Sequence, residues 1–263
     1  MGNLHDGHMA LVRRAQQRGD RVLVSVFVNP LQFDRSEDLA RYPRTLEADA
    51  KQLAEAGVDA LFCPDVGEMY PENEAVQARV VVSGLSQILE GESRPGHFDG
   101  VATVVAKLFN LVQPDVAVFG EKDYQQLLLI TGMVVSLNFP VLVEAVPTLR
   151  QDDGLALSSR NGQLSPAARA VAPELYRCLR DTVDACLLEP DQWPDIFPHR
   201  LAQAEKRLRA AGFRPDYISF RRASDLGEPR PGDRDLVLLA AAWLDGVRLI
   251  DNLRLCYGKF AAP

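Results

Sequence analysis

The 263 residues hold 29 Lys and Arg against 36 Asp and Glu, a formal net charge of -7, with 47% hydrophobic residues. That balance excludes a broadly basic surface of the kind that holds nucleic acid by its phosphates. The sequence also has no run of 18 apolar residues to serve as a membrane span, and no apolar h-region of a signal peptide within residues 1–20.

Taken in chain order, Met9–Arg18 reads as a helix, with Ala10, Leu11 and Ala15 as candidate core positions. Val22–Val28 is almost continuously apolar and β-branched, the pattern of a strand buried on both faces. Pro43 is expected to open a helix carrying Leu46, Ala50, Leu53 and Ala54 at helical spacing, closed by Gly57. Asp59–Cys63 reads as a short strand stopped by Pro64, and Phe98–Val112 as a helix with Val101, Val104, Val105, Leu108 and Val112 on one broad face. Asp115–Phe119 is a strand, Tyr124–Ser136 a helix and Val141–Val146 a strand. This alternation implies a parallel sheet with helices on both faces.

The texture changes after Pro147. A polar turn at Arg150–Gly154 leads to Ser165-Pro166, expected to cap one long helix to about Leu188. A connector at Glu189–Pro198, a helix at His199–Ala211 and a charged loop at Asp225–Arg234 follow. Tyr217–Arg221, Leu236–Ala242 and Arg248–Ile250 read as strands that need not alternate with helices. The expected division is 1–147 for an α/β domain and 148–263 for a smaller α+β domain. Cys63, Cys178, Cys186 and Cys256 contain no C-x-x-C pair, and Cys178 and Cys186 lie roughly 12 Å apart along a helix, beyond disulfide reach. Isolated thiols fit a reducing cytoplasm and structural roles, with no metal site in their spacing.

Five clusters carry candidate chemistry. Residues 1–8, Met-Gly-Asn-Leu-His-Asp-Gly-His, place His5 and His8 one turn apart at a helix start. The first N–H groups and the positive dipole end there suit a phosphate, and Gly7 admits a bulky ligand. The plain alternative is a capping turn with incidental histidines. Asn29-Pro30-Leu31-Gln32-Phe33 follows a strand, where open α/β sheets bind ligands. Gln32 both donates and accepts, which suits a hydroxy acid, although an Asn-Pro turn alone is common without any chemistry. Gly120-Glu121-Lys122-Asp123, then Gln125 and Gln126, also follows a strand. Lys122 offers a point charge to phosphate, and Asp123 a helix cap or a hydroxyl or Mg2+ contact. Leu157-Ser158-Ser159-Arg160-Asn161-Gly162 is suited to a mobile phosphate clamp that closes from the second domain onto the first. Arg94-Pro95-Gly96-His97-Phe98-Asp99-Gly100-Val101 opens a helix; His97 there is within range of a substrate role, but a structural role at the helix start is expected. His199 is expected to be exposed, and Trp193 and Trp243 to serve packing.

With these motifs in view, the chain closely resembles the pantothenate synthetases, the pantoate–β-alanine ligases of the H-x-G-H nucleotidyltransferase superfamily. The likeness runs from Met1 to about Asn252 through Met-Gly-Asn-Leu-His-Asp-Gly-His, Val-Asn-Pro-Leu-Gln-Phe, Arg-Pro-Gly-His-Phe, Phe-Gly-Glu-Lys-Asp-Tyr-Gln-Gln and Leu-Ser-Ser-Arg-Asn. It implies that pantoate attacks the α-phosphorus of Mg-ATP to give pantoyl adenylate and pyrophosphate, and that β-alanine then releases AMP and pantothenate. By position, it assigns His5, His8, Lys122 and Arg160 to catalysis, with His8 the proton donor. ATP contacts fall to Met1, Gly2, Asn3, Leu4, His5, Asp6, Gly7, His8, Gly120, Glu121, Lys122, Asp123, Leu149, Leu157, Ser158, Ser159 and Arg160. Gln32 and Gln126 are assigned to pantoate, and Gln32 also to β-alanine. Mg2+ is expected to arrive with the ATP phosphates rather than on a side-chain cluster.

The resemblance further implies a cytoplasmic homodimer with no nucleic-acid or membrane partner, a Rossmann-like first domain and a smaller α+β second domain tied to lid and dimer functions. The family carries a leader strand ending in Pro-Thr ahead of this motif, so the parallel sheet is expected to lack its usual first strand. The alternatives are a truncated, inactive nucleotide-binding fragment of such an enzyme or a different H-x-G-H adenylyltransferase.

Overall fold

The computed structural model describes residues 1–33, 39, 40, 42–71 and 78–257. It divides into two compact units, Met1–Leu149 and Arg150–Pro263.

In the first unit, helix α1 (Asp6–Gln16) begins three residues before the expected start because His5 caps it. Its core stripe is not Ala10, Leu11 and Ala15, which are only partly covered. Met9 and Val12 are buried instead, packed on Leu53 of α2 (Leu46–Glu55). The expected stripe was out of phase with the face that meets α2. Pro43 lies outside α2, which Thr45 precedes as N-cap, and Gly57 follows its end in a left-handed conformation. Strand β1 (Leu23–Ser25) is much shorter than the apolar run Val22–Val28. The backbone leaves the ladder after Val26 donates to Phe62 and turns at Asn29-Pro30, where proline has no N–H to contribute.

Strand β1 pairs in parallel with β2 (Ala60–Phe62), and β3 (Val116–Gly120) pairs in parallel with β4 (Leu142–Val146). The expected parallel sheet is therefore present as two ladders, and among the described residues no ladder joins them. Two short helices follow β2, α3 (Val66–Met69) and α4 (Glu90–Ser93). The main core lies between α5 (His97–Val112) and α6 (Tyr124–Ser136). Phe98, Val101, Val105 and Phe109 of α5 pack with Leu129, Ile130 and Met133 of α6. Each such large side chain contributes about 1.5–3 kcal/mol on burial. Strand β3 runs directly into the 3-10 turn Glu121–Asp123, and the chain beyond β1 forms another at Pro30–Gln32. Polar side chains thus gather at the carboxyl ends of the strands.

In the second unit, the single helix expected from Ser165 to Leu188 is two helices, α7 (Pro166–Val171) and α8 (Glu174–Leu187). Pro173 causes the break, because it has no N–H and its ring obstructs the preceding turn. The Ser165 cap is present, with its hydroxyl accepting from the Ala168 N–H. Helix α9 (Phe197–Ala210) then leads to an antiparallel sheet in the order β5 (Arg214–Arg222), β6 (Asp235–Leu244), β7 (Val247–Cys256). Leu236, Leu238, Ala240 and Ala242 of β6 join Leu175 and Leu179 of α8 and Leu208 of α9 in one core. Asp245-Gly246 joins β6 to β7 with positive φ at both residues, as a tight two-residue hairpin requires.

Candidate active site

The site begins with the cap of α1. The extended backbone of His5 lets its Nδ1 accept the Gly7 N–H at 3.2 Å, while His8 Nδ1 accepts the His5 N–H at 3.3 Å. This is a reciprocal capping box built from two imidazoles. Their ring centroids are 4.0 Å apart. An Nδ1 that accepts carries no proton, so in the neutral ring the proton sits on Nε2. Each ring therefore spends its acceptor on the helix start and keeps one N–H donor for a ligand. Burial pushes His8 down to about 3, with His5 beside it adding to the effect. Burial, then the charge of Lys122, also lowers His5. At neutral pH, what His8 offers is the Nε2–H of a neutral ring.

The turn before the histidines is unusual. Gly2 and Asn3 both have positive φ, +89° and +53°. The buried carboxylate of Asp49, on the first turn of α2, accepts the N–H groups of Asn3 and Leu4, each at 2.8 Å.

Glu121–Asp123 follows Gly120 at the end of β3. Lys122 is largely covered, with Nζ 3.9 Å from the Asp123 carboxylate. Asp123 does not cap α6 through its side chain, contrary to one expectation. Its negative charge instead acts on His5, His8 and His97, and the charge of Lys122 acts on His5 and His8. These couplings bring the first and third sequence clusters together.

Gln32 is held from several directions. Its carbonyl accepts from His97 Nδ1 at 2.8 Å and from Arg94 Nη2 at 3.1 Å. Its Oε1 accepts from Asn29 Nδ2 at 3.0 Å. Asn29 is 1% exposed, and backbone groups fix its amide: Leu31 N–H donates to Oδ1, and the Gly100 carbonyl accepts from Nδ2. Tyr70 Oη donates to the same Oδ1 at 2.8 Å. Gln32 therefore presents its Nε2 donor, which bonds to no other described residue. His97 is buried, and burial, then the charge of Arg94, holds it down at about 4. Its structural role is to pin the Gln32 backbone.

The two neighbouring glutamines differ. Gln125 is spent on the fold, donating to Leu85 and Ile88 carbonyls and accepting the Glu90 N–H. Gln126 is half-buried, and its side chain bonds to no described residue. Leu149 is exposed. In the second unit, Ser158 Oγ accepts the Arg160 N–H at 3.2 Å and opens the 3-10 turn Ser159–Gln163, so Leu157–Arg160 forms an ordered turn there. His199 is exposed. Trp193 packs on the core of the second unit, and Trp243 lies under the Arg214 guanidinium. All four cysteines are free thiols. Among the described residues, no three His, Cys, Asp or Glu gather to hold a metal, and no helix is long and apolar enough to cross a membrane.

Reading the motifs alone missed Asn29, Tyr70 and Asp49 as organisers of these clusters. Asn29 was within reach of inference, because a buried Asn before Pro must place its amide somewhere. Nothing local to Asp49 or Tyr70 signals a partner more than 40 residues away.

A sequence model of the family described as Pantoate-beta-alanine ligase matches residues 1–254. The chain is 57% identical over 253 residues to a pantothenate synthetase of Thioalkalivibrio sulfidiphilus, covering 96% of this chain and 87% of that one. It is 56% identical over 255 residues to a pantothenate synthetase of Pseudomonas putida, covering 97% and 88%. The crystal structure of a pantothenate synthetase from Thermus thermophilus superposes with a TM-score of 0.89 at 49% identity, covering 98% and 91%. A pantoate-beta-alanine ligase from Francisella tularensis, complexed with beta-gamma ATP and beta-alanine, superposes with a TM-score of 0.79 at 35% identity, covering 96% and 86%.

Proposed function

Because this chain belongs to the pantoate–β-alanine ligase family, we propose that it joins pantoate to β-alanine at the expense of ATP, through a pantoyl adenylate. A carboxylate is a poor electrophile, and an amine cannot displace oxide from it. Adenylation replaces that leaving group with AMP. In the first step a pantoate carboxylate oxygen bonds to the α-phosphorus and the bond to pyrophosphate breaks. In the second, the uncharged β-alanine amine attacks the acyl carbon, AMP departs, and the nitrogen loses a proton.

The observation that carries this reading is the paired imidazole cap. Two neutral rings with Nδ1 occupied present two Nε2–H donors at a helix start, where negative charge is favoured. Lys122 adds a positive charge that acts on both rings. Such fixed donors stabilise the charge that builds up on phosphate oxygens as pyrophosphate leaves. Neutral histidine matters here, because its donor is available without a proton being taken up from solvent.

Gln32 presents Nε2–H, which fits a carboxylate or hydroxyl oxygen of pantoate, and Gln126 supplies a second amide. The resemblance further supports assigning ATP contacts to residues 1–8, Gly120–Asp123, Leu149 and Leu157–Arg160, with Arg160 contributing charge. Mg2+ belongs to the substrate, carried on the phosphates. The resemblance also supports a homodimer and a cytoplasmic location. Leu111, Val135, Leu137 and Leu142 leave apolar surface on the first unit that a second copy could cover.

Exchange of labelled pyrophosphate into ATP tests the proposal. It is expected to require pantoate and to proceed without β-alanine. Exchange that ignores pantoate but responds to a phosphorylated acceptor would instead identify a different adenylyltransferase. A folded protein that binds nucleotide and exchanges nothing would be an inert fragment.

A further inference from the structure

The Asp49 carboxylate is one of the most deeply buried charged groups of the first unit, 3% exposed, and it belongs to none of the motifs that carry the chemistry. A buried carboxylate costs free energy unless its oxygens are satisfied. Here they are satisfied almost entirely by the turn that leads into His5. Oδ1 accepts the Leu4 N–H at 2.8 Å. Oδ2 accepts the Asn3 N–H at 2.8 Å and the Thr45 hydroxyl at 3.2 Å.

The turn needs such a partner. Gly2 takes positive φ readily, whereas Asn3 at +53° bears the cost of the left-handed region, and surrounding contacts hold it there. A Cβ on Gly2 would lie 3.0 Å from Asp49 Oδ2, so the carboxylate sits directly against the backbone it shapes. The N–H groups then divide in sequence. Asp49 takes those of residues 3 and 4, His8 takes that of His5, and His5 takes that of Gly7. The ring orientations therefore rest on a backbone path whose first two anchors come from α2.

We propose that Asp49 is a positioning residue for nucleotide: its carboxylate holds residues 2–4 in the strained path that aims the Nε2–H groups of His5 and His8 at the ATP phosphates. This rests on the reading of that turn as the nucleotide site. Asp49 touches no phosphate itself. It acts through the backbone that carries the two rings.

The test compares Asp49→Asn and the milder Thr45→Val with wild type, using Mg-ATP itself as the probe. Asp49→Asn keeps the size of the side chain but turns one acceptor into a donor facing a backbone N–H. Titration calorimetry should show the Kd for Mg-ATP weakened at least about tenfold in Asp49→Asn, and about twofold in Thr45→Val, where the carboxylate remains. The KM for ATP should rise in parallel while the KM for pantoate stays within about twofold. A merely structural role makes a different forecast: fewer folded molecules, a lower apparent kcat and unchanged affinities. A folded fraction of Asp49→Asn that binds Mg-ATP within twofold of wild type overturns the proposal. If Asp49→Asn does not fold, Thr45→Val decides: the twofold weaker Kd supports the proposal, and a Kd for Mg-ATP equal to that of wild type overturns it. A wild type that binds Mg-ATP but catalyses no pantoate-dependent exchange refutes the ligase reading instead, and leaves the calorimetric comparison decisive for Asp49.

Discussion

The turn at residues 2–8 and the β6–β7 hairpin are built on opposite principles. The hairpin pairs ten residues with ten neighbours in an unbroken antiparallel register from Asp235↔Cys256 to Leu244↔Val247. Its backbone groups satisfy one another, and its apolar side chains face α8 and α9. Residues 2–8 have no such ladder. Four of their N–H groups, those of Asn3, Leu4, His5 and Gly7, are met by the side chains of Asp49, His8 and His5, and two of their residues sit at positive φ. The hairpin is stable because it is regular. The turn is held in an irregular path by distant groups, which leaves the Nε2–H of each histidine ring for a ligand.

That contrast can be broken most severely at His8. His8→Ala removes one Nε2–H donor and the acceptor for the His5 N–H, while His5 still caps α1. Pantoate-dependent exchange should fall on the order of 10³-fold with an unchanged circular dichroism spectrum. Retention of near-wild-type exchange would contradict the role given to that ring. In the hairpin, Leu238→Ala should act on stability alone. It leaves a cavity in a fully buried position, costing about 2–5 kcal/mol, read as a lower urea midpoint.

Gly100→Ala probes the approach of α5 to the turn carrying Gln32. Its Cβ would fall 2.3 Å from the Leu31 carbonyl oxygen, so the turn must move. Displacement of a binding group by about 1 Å can cost about 10²-fold. The loss should appear in kcat/KM for pantoate, with affinity for Mg-ATP nearly unchanged. An equal loss for both substrates would place the damage elsewhere.

The smallest effect concerns pH. His8 and His97 are held at about 3 and about 4, both below the usual 6.5, because burial disfavours their charged forms. The unfolded chain therefore binds more protons than the folded one between those values. The stability linked to these two rings is complete above about pH 6.5 and declines as pH falls towards 4 and then 3. Urea midpoints measured from pH 7.5 to 4.5 should fall, and His97→Gln should flatten that fall. A slope identical in the variant would remove His97 from the explanation.

Helices such as Tyr124–Ser136 were legible to the residue, because apolar spacing and a preceding polar turn define them locally. The four clusters proposed for the active site stood out in the sequence as residue types near strand ends and helix starts. The phase of α1 was not, since only packing against Leu53 selects Met9 and Val12 over Leu11. The break at Pro173 was legible in principle, and the favourable run of helix formers around it concealed it. The strands of the second unit extend beyond their apolar centres because the backbone ladders run on past them, to Arg222↔Leu236 and to Asp235↔Cys256. Least legible were Asp49 and Tyr70, whose roles come from hydrogen bonds spanning more than 40 residues.

The central claim is that the clusters of the first unit serve attack by a carboxylate on the α-phosphorus of ATP. Pantoate labelled with 18O in its carboxylate tests it directly. After turnover with ATP and β-alanine, one labelled oxygen should reside in the phosphate of AMP, carried there when the acyl carbon passes to nitrogen. Unlabelled AMP, with the label recovered in inorganic phosphate or pyrophosphate, would show that the carboxylate is activated at another phosphorus and would contradict the account.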